Sequence, residues 1–141
     1  MHLRRRQLAR VARIEWTSRL SLDTVLIMWL FTKRGFYSIV QKGGEFHIRA
    51  RMKQDLENLK DLAEIKRQVI LTRDADYRYR LVVNQVEVVA ALMALAQDID
   101  YSNFKNCIAA DSYQRKKLPA LHEIWGLMAG LQKGEEKSEG D

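Results

Sequence analysis

Between Met28 and Val83 the spacing of apolar positions switches from two to about 3.6 residues and back, and that switching predicts the elements. "MWLFT" and "FYSIVQ" read as strands flanking "KRG", a short turn in which Gly35 is available for positive φ. "KGGE" is the next turn. After it, "EFHIRARM" alternates Phe46, Ile48, Ala50 and Met52 with His47, Arg49 and Arg51. The period then changes: in "KQDLENLKDLAEI", Leu56, Leu59 and Ala63 form one helical stripe with Leu62 beside it. "RQVILT" reads as a buried strand, "RDAD" as a turn, and "YRYRLVV" as a returning strand.

Beyond Val83 the pattern is helical. Asn84 and Glu87 have N-cap and N3 spacing and predict a helix start. Val88, Val89, Leu92, Leu95, Ala96 and Ile99 make its apolar stripe. Ser102 suits the cap of a short helix holding Phe104 and Ile108. Pro119 fits a first helical turn, after which Leu121, Ile124, Trp125, Met128 and Leu131 recur at helical spacing. Residues 133–141, "KGEEKSEGD", contain no apolar side chain and are expected to be a disordered acidic tail.

Strands 45–52, 68–73 and 77–83 with helices 53–65 and 85–98 give β-α-β-β-α, five of the six elements of a ferredoxin-like plait. The place of the sixth strand falls to 36–42, held antiparallel to 45–52 by the "KGGE" hairpin. The expected fold is therefore α+β: a permuted ferredoxin-like plait, an antiparallel sheet with helices on one face and extra C-terminal helices. The expected strand order is (36–42)(45–52)(77–83)(68–73), with 28–33 extending the first edge and with 45–52 parallel to 77–83. Residues 28–132 form the single domain in this reading.

Residues 1–27 differ in character. Leu8, Val11, Ala12, Trp16 and Leu20 fall near helical spacing among six arginines. Three readings stay open: a basic amphipathic helix, an Arg-rich transit peptide, and upstream sequence preceding a true start at Met28. The segment also changes the meaning of the overall charge of +6. Six arginines against two acids give it +4, the last nine residues carry −2, and the body carries the remaining +4. The apolar run "VLIMWLF" is about a third of the ~20 residues that a spanning helix needs. Cys107 is the sole cysteine, so no intramolecular disulfide forms, and a reducing cytoplasm is the expected compartment.

The stretches "MWLFTKRGFYSIV", "DIDYSNFKN" and "LHEIWGLMAGLQ" carry a resemblance to a family of small, uncharacterised bacterial and archaeal proteins, over roughly residues 28–132. Members typically begin at the methionine corresponding to Met28. The resemblance implies no activity, cofactor or catalytic residue.

Candidate chemistry is concentrated in two stretches. In "HIRAR" and "YRYR" a basic residue alternates with an apolar or aromatic one, so His47, Arg49, Arg51, Arg78 and Arg80 are expected to share the open face of the sheet. Tyr77 and Tyr79 are expected to face the helices. Such a face suits an anionic partner, either the backbone of a nucleic acid or a small anionic ligand, or it is a solvated or salt-bridged sheet face, partly covered by a second copy where the chain forms a homo-oligomer. An enzyme acting on a phosphorylated substrate, with His47 as base and the arginines as clamps, is the alternative. Nothing else rises to a motif. His2, His47 and His122 are too scattered for a metal pair, "KGGE" lacks the spacing of a phosphate loop, and Asp74 and Asp76 lack the wider calcium-loop pattern. No catalytic set, metal ligand or cofactor is assigned. Trp29 and Trp125 read as core anchors.

Overall fold

The computed structural model of the protein describes residues 26–140, and the N-terminal extension lies outside them except for Leu26 and Ile27, which already belong to the first strand. The described residues form an α+β fold, a five-stranded antiparallel sheet with four α-helices. In chain order the elements are β1 (Leu26–Phe31), β2 (Phe36–Lys42), β3 (Glu45–Ala50), α1 (Lys53–Ala63), β4 (Ile70–Leu71), β5 (Tyr79–Val83), α2 (Gln85–Gln97), α3 (Phe104–Ala110), a 3-10 turn (Gln114–Lys117) and α4 (Leu118–Glu139). The sheet order is β1-β2-β3-β5-β4.

Local chemistry explains most boundaries. Gly43 and Gly44 both take positive φ, 55° and 85°, as a two-residue primed turn requires, and Lys42 pairs with Glu45 across it. Asn84 Oδ1 accepts the Glu87 N–H at 2.9 Å while the Asn84 N–H donates to Glu87 Oε1 at 3.1 Å, so the capping box closes and α2 starts there. Asn103, rather than the expected Ser102, caps α3 by accepting the Asn106 N–H.

The core lies between one sheet face and two helices. Tyr37, Ile39, Ile48, Ala50, Leu81 and Val83 pack against Leu56 and Leu59 of α1 and Val88 and Ala91 of α2. These strand residues alternate, so the opposite face carries Trp29, Ser38, Arg49 and Arg80 in one cross-strand row.

Several expectations need correction. β3 and β5 are antiparallel, not parallel. The α1 crossover makes β3 and β4 run the same way, and the turn after β4 then reverses β5 between them. The buried strand expected over 68–73 shrinks to Ile70 and Leu71, each 46% exposed at the sheet edge. Gly35 has no positive φ. Its role is close approach, since a Cβ there would stand 2.5 Å from Asp55 Cβ and Cγ. The expected disordered tail is instead the last two turns of α4, through Glu139. Adding residues to an existing helix costs little compared with nucleating one. Trp29 and Trp125 are exposed rather than core anchors. Among the described residues no helix is long and apolar enough to cross a membrane.

Candidate functional site

Register builds the site. Ser38 is opposite Arg49, and Arg49 is opposite Arg80, with Val40 opposite His47 one step along. Four of the five residues singled out by alternation are thus explained: His47, Arg49 and Arg80 sit on adjacent strands of one face, and Arg51 follows immediately after β3. Arg78 does not join the paired row. It precedes β5, is exposed, and its carbonyl accepts the Thr72 N–H in the turn.

The face is not open, as the alternation alone suggested. Ser38 and Val40 are fully buried on it. Arg49 and Arg80 are half-buried. Arg49 Nη2 donates to Ser38 Oγ at 2.7 Å. The Arg80 Nη1 atom lies 3.3 Å from His47 Nδ1. A guanidinium only donates, so His47 Nδ1 accepts, and the ring proton of the neutral histidine sits on Nε2. Burial first, and the charge of Arg80 second, hold His47 below its ordinary value.

Tyr77 corrects a second expectation. Its ring does not join Tyr79 on the helix side. The chain has left strand geometry there, and the guanidinium carbons of Arg49 and Arg51 stand 4.6 and 4.4 Å from the ring centroid. The Arg51 Nη1 atom also donates to the Asp76 carbonyl at 3.0 Å. Tyr77 is 7% exposed, so its ring is spent on the arginines and offers no platform for a stacked base.

Among the described residues no carboxylate lies within 4.0 Å of Arg49 or Arg80. The Nε–H groups of both are buried and lack a hydrogen-bond partner. Each such orphan costs about 1–3 kcal/mol. Two like charges opposite each other on neighbouring strands add to that cost. Burial, the largest influence, also lowers Arg49 from its ordinary value.

A second polar cluster lay outside the reach of sequence reasoning. Asp55, 1% exposed, receives Lys117 Nζ at 2.6 Å on each carboxylate oxygen, the Phe36 N–H at 3.2 Å and Gln114 Nε2 at 3.2 Å. Lys117 Nζ also donates to Gln114 Oε1, and the Tyr37 hydroxyl donates to the Asp55 carbonyl. Burial lowers Lys117 more than its bonds to Asp55 raise it. Every charge in this cluster is partnered, so it fastens α1, β2 and the 3-10 turn together. Residues 59 and 62 positions apart carry no shared motif that would announce it.

His122 is exposed and Cys107 half-buried. Among the described residues no group of three or more His, Cys, Asp and Glu is placed to hold a metal ion. No family model matches the chain, and comparison with curated proteins and with solved structures gives no match.

Proposed function

We propose that this protein is a small binding module that takes an anionic group, a phosphate or carboxylate, between Arg49 and Arg80 on the sheet face, with His47 and Ser38 beside them. One observation carries the reading. Two half-buried guanidiniums face each other across β3 and β5, with no carboxylate of the described residues within 4.0 Å of either and with both Nε–H groups unpartnered. An anion neutralises the pair and accepts charge-assisted hydrogen bonds, each worth about 1.5–3 kcal/mol. His47 carries its ring proton on Nε2 in this arrangement. Its Nδ1 lone pair is directed at Arg80, which counts against His47 as a general base. Within this proposal the α+β fold is read as the permuted ferredoxin-like plait, and the chain as a cytoplasmic relative of the bacterial and archaeal family that it resembles.

A single anionic group fits better than a nucleic acid, because the nearest aromatic ring is buried among the arginines. Titration with inorganic phosphate at constant ionic strength tests the site. Saturable shifts of the Arg49, Arg80 and His47 resonances are expected, and Arg49→Gln should weaken binding about tenfold or more, in line with the loss of one charge-assisted bond. Shifts that do not saturate, or that persist unchanged in Arg49→Gln, would remove the proposal. A nucleic-acid interface would instead show a log–log salt slope of about −0.7 per phosphate contact on single strands.

A further inference from the structure

Helix α4 is poorly accommodated by its own chain. It runs for 22 residues and buries none of them. Ile124, Leu127, Met128 and Leu131 share a stripe at i, i+3, i+4 and i+7, and their exposures rise from 38% at Ile124 to 75% at Leu127. Trp125 flanks the stripe at 60%, with Lys105 Nζ 4.2 Å from its ring centroid. On the neighbouring helix edge stand Gly126, Gly130 and Gly134, one turn apart. A Cβ at any of them would meet nothing within 4 Å. Glycine in a helix interior costs about 1 kcal/mol relative to alanine, and nothing within the described chain requires it there.

The helix also borders a groove. A cavity of about 360 Å³ opens between Leu121 and Ile124 of α4 and Trp29, Phe31 and Phe36 of the sheet. The polar groups at its base, Asp55 and Lys117, are already bonded to each other. Arg51, which also lines it, is held over the Tyr77 ring and bonded to the Asp76 carbonyl, and the rest of the lining is suited to apolar side chains. Exposed Trp29 and Phe31 make it continuous with the outer face of β1.

We infer that the occupant is a second copy of this chain, docked through α4 and the groove in a two-fold dimer. Three observations favour a copy over a foreign partner. First, one helix carries protruding Leu127 and Leu131 directly beside recessed Gly130 and Gly134, so that surface is complementary to itself as a two-fold interface demands. Second, the groove and the stripe are contiguous, so each copy can give and receive at once. Third, Ile27, Trp29 and Phe31 of β1 and Ile124, Trp125, Leu127, Met128 and Leu131 of α4 all stand 38–75% exposed, enough for the apolar centre of a standard interface of about 800 Å² per partner. This inference does not rest on the anion site.

Sedimentation equilibrium of the full chain at micromolar concentration tests it. The expected mass is twice that of the chain. Leu127→Glu with Met128→Glu should give a monomer with unchanged far-UV circular dichroism, because both side chains are mostly exposed in the single copy. Gly130→Leu supplies the independent check. It raises helix propensity, yet it should weaken the dimer about tenfold or more by blocking close approach. A full chain that stays monomeric at high micromolar concentration overturns the inference. So does a dimer that survives the Glu pair, or a monomer in which cross-links join α4 to residues 1–25 of the same chain.

Discussion

Asp55 shows how much a single buried carboxylate organises. It closes onto Lys117, Gln114 and the Phe36 N–H, and it stands so near Gly35 that no side chain fits there. Removing its counter-ion alone leaves a buried charge with too few partners, which typically costs about 3–5 kcal/mol. Lys117→Met should therefore lower stability by about that amount in urea unfolding, and Asp55→Asn added to it should recover part of the loss. Recovery is expected because the neutral amide no longer needs the ammonium. If Lys117→Met unfolds at the wild-type urea midpoint, the cluster is not the fastening described above.

At the scale of elements, the β1–β2 turn is tied to the end of α2 by charge. Arg34 Nε and Nη2 donate to the two Asp98 oxygens at 2.7 and 2.8 Å, and Lys33 Nζ stands 3.4 Å from Asp98 and 2.7 Å from Asp100. The hydrogen bonds from Arg34 hold the Asp98 carboxyl below its ordinary 3.8. A carboxyl lowered by folding stabilises the fold above its unfolded value, and that contribution is lost as pH falls through the folded value. Asp98→Asn should therefore cost about 1 kcal/mol at neutral pH, discounted because Arg34 is 40% exposed, with the difference shrinking at a pH well below the carboxyl's ordinary 3.8. A variant equally destabilised at both pH values would assign the loss to packing rather than charge.

Elements also show what the sequence could and could not convey. The period-two stretches, the Gly43–Gly44 turn and the Asn84–Glu87 cap depend on neighbours a few residues apart, and their signals are local. The sharing of one face by His47, Arg49 and Arg80 followed from the same alternation. Tyr77 escaped because strand geometry stops before it, so its phase cannot be counted from Tyr79. Arg78 was lost for the same reason. The Asp55–Lys117 pair depends on how α1 meets the 3-10 turn, which is a property of packing and not of spacing. Helix α4 looked like a core helix because apolar periodicity records that a face wants covering, not which chain covers it.

At the scale of the whole molecule, the sheet has two unlike faces. One buries an apolar core under α1 and α2. The other keeps Arg49 and Arg80 opposed, with no carboxylate of the described residues paired to either. Such a pair costs stability, and under the proposed function a bound anion offsets that cost. The most direct test is chemical unfolding of wild type and Arg80→Met, each with and without inorganic phosphate at matched ionic strength. Without phosphate the variant should be as stable as wild type, or more stable by about 1 kcal/mol, since it loses a buried unpaired Nε–H and a like-charge neighbour. With phosphate, wild type should gain stability by mass action while the variant gains little. If Arg80→Met is clearly less stable without phosphate and both proteins respond to phosphate alike, the arginine pair is part of the scaffold and the anion site does not exist.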